Sequence, residues 1–340
     1  MQSPQLPTTE VGLRATDPQP LFSTLENFSM KKTLIALAAV AATSAAFAQS
    51  SVTLYGVADA AIVKTTGVDA AFSSSGGMNN GNSRWGVRGT EDLGGGLKAG
   101  FNFEASLSLA DGSVNQSGGN YFSRAAYMNL MGGFGEVRLG RSLNPSFFAL
   151  AAWELTSTAN YSVVGSQFNS GVSTVLGGTR NSNQIAYTTP SFGGVSATLG
   201  YILKGNNGGN AKTDLNVIYR GGPLAVALGY NKVSGSDDNV HIGANYDFGG
   251  FKVAGAYIDP ADTTAVDSKG FAIGASTTLG PVALTLDIAR DTGFKDTNLL
   301  VEVKYPLSKR TFTYVAFLRD GKGKAIDDVN NFSVGIRHNF

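Results

Sequence analysis

Four arginines, Arg84, Arg88, Arg124 and Arg180, are the side chains of this sequence whose type and placement suit the handling of a charged partner. A guanidinium is always cationic and offers a rigid fork of donors that fits carboxylates, phosphates and small anions. Two carboxylates could stand against them. Glu104 lies in an alternating segment, and Glu154 is the only acid between Asn144 and Asn181. Lys98 and Arg138 form a second rank. Covalent chemistry is poorly provided for. The chain has no cysteine and only two histidines, His241 and His338, neither near a Gly-x-Ser-x-Gly turn, so no nucleophile is paired with a base. Asp237-Asp238 and Asp327-Asp328 lack the spacing of a calcium loop. The glycine runs at 94–96 and 132–135 are not followed by a helical period, so they read as turns and not as phosphate cradles. The expectation is a protein without enzymatic activity, cofactor or metal site.

The elements that must carry these charges are strands. In residues 97–107, Leu97, Ala99, Phe101, Phe103, Ala105 and Leu107 alternate with Lys98, Gly100, Asn102, Glu104 and Ser106. Similar alternation runs through 240–248, 281–290 and 298–305, and again through 332–340. Period two with one apolar and one polar face is a strand signature. Sixteen such segments can be counted, starting near residues 51, 83, 96, 121, 135, 183, 195, 212, 224, 239, 251, 269, 281, 297, 310 and 330. Their connections alternate between short Gly/Pro turns and longer polar loops. An even strand number, short turns at one end, long loops at the other and a last residue, Phe340, on the apolar face together specify an all-β transmembrane antiparallel β-barrel. Its outer face would meet the lipid bilayer. Tyr55, Trp85, Tyr187, Tyr201, Tyr219, Tyr230, Tyr246, Tyr257 and Tyr305 fall near strand ends, where aromatic girdles form. The formal charge of +1 lacks the basic excess of a nucleic-acid binder.

Met30-Lys31-Lys32, an apolar run over 33–46 and Ala46-Phe47-Ala48 read as a secretory signal peptide over 30–48. Residues 1–29 then read as an upstream extension from a mis-assigned start, with Met30 the true start and 49–340 the barrel.

On this frame the charges acquire positions. Arg84, Arg124 and Arg180 lie near the starts of the second, fourth and sixth strands, all descending from the loop end, so they should stand at similar depth. With Trp85 and Val87 outward, Arg84 and Arg88 face inward, which avoids the ~2–4 kcal/mol cost of a guanidinium facing lipid at mid-depth. The third long loop, 142–182, carries Phe147, Phe148, Leu150, Trp153, Leu155 and Phe168, enough apolar surface to pack against a wall.

Several stretches resemble the general porins of Gram-negative outer membranes, in particular the trimeric betaproteobacterial type. They are Ser-Val-Thr-Leu-Tyr-Gly at 51–56, Ser-Arg-Trp-Gly-Val-Arg-Gly-Thr-Glu-Asp-Leu-Gly-Gly-Gly-Leu-Lys-Ala at 83–99, Phe-Gly-Glu-Val-Arg-Leu-Gly-Arg at 134–141, Tyr-Thr-Thr-Pro-Ser-Phe-Gly-Gly at 187–194, and Val-Gly-Ile-Arg-His-Asn-Phe at 334–340. The resemblance implies sixteen strands, a homotrimer, a third loop folded into the lumen and diffusion of small hydrophilic solutes and ions. It matches Arg84, Arg124 and Arg180 to a basic cluster facing that loop across the pore. The loop lacks the Pro-Glu-Phe tip of enteric relatives, and the arginines outnumber its acids, so a modest preference for inorganic or organic anions is expected. A substrate-specific outer-membrane channel is the alternative. The last strand, ending at Phe340, is the expected contact for the barrel-assembly machinery.

Overall fold

A computed structural model describes residues 51–114, 119–168, 173–174, 178–262, 268–321 and 328–340. The assignments made for residues 1–48, and Asp327, lie outside the described residues. Sixteen long antiparallel strands form one closed sheet. The first eight are β1 (Ser51–Thr65), β2 (Arg84–Gly94), β3 (Leu97–Ser106), β4 (Ala125–Gly132), β5 (Gly135–Leu143), β6 (Arg180–Thr188), β7 (Val195–Ile202) and β8 (Lys212–Gly221). The rest are β9 (Leu224–Val233), β10 (Asp238–Asp247), β11 (Phe251–Asp259), β12 (Gly270–Leu279), β13 (Val282–Asp291), β14 (Asp296–Pro306), β15 (Thr311–Asp320) and β16 (Val329–Asn339).

Each strand pairs with its neighbours in sequence, and β1 closes the barrel. Its first half pairs with β2, from Ser51↔Thr90 to Val57↔Arg84, and its second half with β16, from Val57↔Asn339 to Thr65↔Asn331. The seam ends in two backbone bonds of 3.0 Å each, between the N–H and C=O groups of Gly56 and Phe340. Closure leaves no long edge, which is what allows a sheet to sit in hydrocarbon. A short strand, Ala71–Ser73, caps the upper part of β1.

The alternation read from the sequence is the alternation of the wall. In β16, Phe332, Val334 and Ile336 are exposed on the outer face, while Ser333 and Gly335 are buried on the inner. Val52 and Leu54 of β1 do the same. The strand expected to start near 121 starts later: residues 121–124 form turn and bend, and β4 begins at Ala125. Gly94, Gly95 and Gly96 all have positive φ, a conformation open to glycine, and they close the β2–β3 turn.

The apolar core lies inside the barrel. The loop after β5 forms two helices, α1 (Pro145–Trp153) and α2 (Val163–Phe168), which pack on the inner wall. Ala149, Leu150, Trp153, Val163, Val164 and Phe168 bury themselves against small wall residues such as Ala227, Ala254, Ala272 and Ala289. The Trp153 indole lies flat on Gly243, where an added Cβ would come within 2.4 Å of the ring. Interior alanines and glycines on β9–β13 thus make room for a loop, where bulkier residues would fill the lumen.

Candidate functional site

Asn144 caps α1, its side chain accepting from the Phe147 N–H at 2.9 Å, and Pro145 occupies the first turn, where its missing N–H costs nothing. The wall then grips the loop by its backbone. Asn216 Nδ2 donates to the Pro145 carbonyl at 2.7 Å, His241 Nε2 meets the Ser146 carbonyl at 3.1 Å, and Asn245 Nδ2 reaches the carbonyls of Ala152 and Trp153 at 3.2 and 2.9 Å. Asp214 accepts from the Ser146 N–H at 2.8 Å. Further along, the Tyr161 hydroxyl donates to Glu302 on β14 at 2.6 Å and accepts from Asn80 at 2.8 Å. The loop therefore crosses the lumen, held on β8–β10 by α1 and on β13–β15 by α2.

Opposite α1, the remaining wall carries the arginines. Arg84 begins β2, Arg180 begins β6, and Arg124 directly precedes β4. The structure brings these three together as expected. Arg180 Nε donates to the Arg124 carbonyl at 2.9 Å, and Arg84 Nη1 to the Asn82 carbonyl at 2.9 Å. Glu104 sits inside the cluster. Its carboxylate lies 2.7 Å from Arg124 Nε and 3.4 Å from Arg84 Nε. Together with Arg138, Tyr127, Leu143 and Phe148, these residues line a cavity of about 200 Å³. Three arginines against one carboxylate leave this side of the lumen net positive.

The other predicted residues are dispersed. Arg138 reaches the same cavity, but it is paired with Glu136 at 2.9 Å and lies over the Tyr127 ring. Arg88 faces inward as expected, four residues below Arg84 or about 13 Å along the strand. It stacks over Tyr55 at 4.9 Å from the ring centroid and is not part of the cluster. Lys98 is six residues from Glu104 on β3, roughly 20 Å away toward the short-turn end, where it is exposed.

Glu154 overturns its expected role. It is buried, its oxygens accepting from Thr156 Oγ1 at 2.6 Å and the Thr158 N–H at 2.7 Å, and it ion-pairs with none of the arginines among the described residues. Burial holds its carboxyl above the ordinary range. Its carboxylate shapes the turn after α1 and does not face the cavity, because the apolar residues on both sides of it drag it into the loop–wall contact.

Tyr55 also departs from expectation. It does not belong to an outer girdle. It shares the inner face with Asp59, and its hydroxyl donates to Asn102 at 2.8 Å and Glu104 at 3.0 Å. Val52 and Leu54, apolar at alternate positions, are the signal that the sequence carries, since they set Tyr55 on the opposite face. Arg337 is a further inward arginine that the sequence did not single out. It donates to Asn80 at 2.8 Å and lies within electrostatic reach of Arg84 across the seam. Beneath it, Asp59 accepts from Asn79, Gly81 and Tyr314 at 2.8, 3.0 and 2.7 Å, which pins residues 79–81 and so fixes the start of β2. Among the described residues no group of three His, Asp or Glu side chains is arranged to hold a metal ion.

Comparison with known proteins gives one consistent result. The profile of the family described as Gram-negative porin matches residues 34–324. Outer membrane porin protein 32 of Delftia acidovorans is 35% identical, over 92% of this chain and all of that protein. Major outer membrane protein P.IB of Neisseria meningitidis serogroup B is 28% identical over the same shares. A solved structure described as an anion-selective porin from Comamonas acidovorans superposes with a TM-score of 0.70 at 32% identity, covering 86% of this chain and all of that one.

Proposed function

Because this chain belongs to the Gram-negative porin family, we propose that its arginine wall makes it a diffusion channel with a modest preference for anions. It is a non-catalytic porin of the outer membrane, passing small hydrophilic solutes and ions through a water-filled lumen. The observation that carries the proposed preference is the cluster of Arg84, Arg124 and Arg180 around a single acid, Glu104, with the loop's only carboxylate buried elsewhere. Charge lining a wide pore sets its ion selectivity by raising the local concentration of counter-ions. The similarity to a structure described as anion-selective supports the same reading.

We further infer that residues 30–48 direct export and are removed, that the barrel works as a homotrimer in the lipid bilayer, and that the β16 terminus at Phe340 engages the barrel-assembly machinery. Small outward residues Ala58 and Ala60 on β1 suit a close contact between copies, while Gly56 beside them is covered by the Phe340 ring.

The decisive experiment compares the wild type with Arg124→Ala in planar bilayers under a KCl gradient. Wild type is expected to give a reversal potential of anion sign, and the variant a smaller one. A cation-sign potential in the wild type, or an identical potential in the variant, would remove the arginine cluster from its assigned role.

A further inference from the structure

The loop face opposite the arginines is not polar. Phe148, on α1, is 37% exposed although it sits inside the barrel, and its neighbour Phe147 meets it edge-on with ring centroids 6.2 Å apart. The other large apolar residues of the two helices behave differently: Leu150, Trp153 and Phe168 are buried against the wall. Phe148 lines the cavity of about 200 Å³ that holds Arg84, Arg124 and Arg180. It also lines an adjoining cavity of about 260 Å³, where Pro145, Ala151 and Ile218 lie beside Glu136, Gln184 and Arg220. Arg138, Leu143 and Phe148 are common to the two. One phenyl ring is thus an apolar surface shared by the cationic cavity and a neighbouring cavity of mixed lining.

Chloride has no use for that ring. An exposed apolar face in a water-filled lumen is stabilised only by a solute that brings an apolar face of its own. A solute with a flat apolar body and one anionic group meets both features: its charge lies against the guanidinium forks, and its ring against Phe148 and Leu143.

From this geometry we infer that the constriction is a weak binding site for aromatic carboxylates, with Phe148 the residue that distinguishes them from aliphatic ones. The inference rests on the anion-preferring reading of the same site. The arginines supply attraction for any anion, and the phenyl ring supplies the selectivity among anions. Aromatic pairs of this kind favour the matched solute by roughly threefold to tenfold over one lacking the ring.

The test titrates KCl current through the purified porin with sodium benzoate and, separately, sodium acetate. Benzoate is expected to half-block at a roughly threefold to tenfold lower concentration than acetate. Phe148→Ser should bring the benzoate value up to that of acetate, and Arg124→Ala should weaken the effect of both. If the serine variant does not assemble, Phe148→Leu keeps the apolar bulk of the helix and should still lose most of the difference. Equal block by benzoate and acetate in a wild-type channel of anion sign would overturn this inference and leave the anion preference standing. A difference that survives in the serine variant, or in the leucine variant where only that one assembles, would equally overturn it. A wild-type reversal potential of cation sign would instead remove the reading on which it rests.

Discussion

Glu104→Gln isolates one charge in the constriction with little change of shape. Glu104 lies 2.7 Å from Arg124 and 3.4 Å from Arg84, so glutamine can keep the packing and one hydrogen bond while removing the only carboxylate in the cluster. An ion passing about 6 Å from that position interacts with it by ~0.7 kcal/mol at the dielectric constant of water. At 0.1 M salt, a screening length of ~10 Å reduces this to ~0.4 kcal/mol. Removing the charge therefore raises local chloride about twofold and lowers local potassium about twofold, so the permeability ratio moves about fourfold toward anions. The measurement is the reversal potential across a tenfold KCl gradient, first near 0.1 M and again near 1 M. The shift should shrink strongly at the higher salt, where screening acts over ~3 Å. No change at low salt, or a shift toward cations, would refute the electrostatic account. A fourfold shift that persists at 1 M would show that the substitution had moved the loop and had not merely changed the charge.

Three further outcomes follow from the contacts. Glu154→Gln should leave the reversal potential where it is, since that carboxylate is buried under the loop; a change as large as that of Glu104→Gln would place it in the ion path. Gly243→Val should push the Trp153 ring off the wall and cost about 1–3 kcal/mol of overpacking strain, seen as noisier single-channel current; a quiet channel would show that the loop has other footing. Phe340→Ala removes a ring packed on Gly56 at the seam and about half exposed, so the barrel should lose roughly 1 kcal/mol, read from the temperature at which its compact form disappears on a detergent gel. An unchanged transition would mean that the backbone bonds of the seam carry the closure alone.

The strands were legible because a barrel wall separates two solvents with a period of two, and the sequence records that separation wherever a strand is long. Arg84 could be placed inside from the outward Trp85 beside it, and the meeting of Arg84, Arg124 and Arg180 followed from their equal depth. Depth is a property of register along neighbouring strands, which sequence spacing reports well. Glu154 was misplaced because its neighbours, not its own charge, decide its position: Trp153 and Leu155 draw that turn into the apolar contact with β11–β13, and the Thr156 hydroxyl and the Thr158 N–H supply the hydrogen bonds that make burial tolerable. Arg337 was missed because it comes near Arg84 only through closure of β16 on β1, a contact between the two ends of the barrel that no local pattern carries. Tyr55 was assigned to the outer girdle by residue type, although the parity of its strand puts it inside with Asp59.

The way the wall holds α1 has a consequence for how this protein can change. Asn216, His241 and Asn245 bind the loop through the carbonyl oxygens of Pro145, Ser146, Ala152 and Trp153. A carbonyl is present whatever the side chain. Lumen-facing positions of α1, Phe148 among them, can thus be exchanged without unfastening the segment, while the fasteners lie on strands whose outer faces answer to lipid alone. Evolution can retune the filter one residue at a time on a mounting that stays the same.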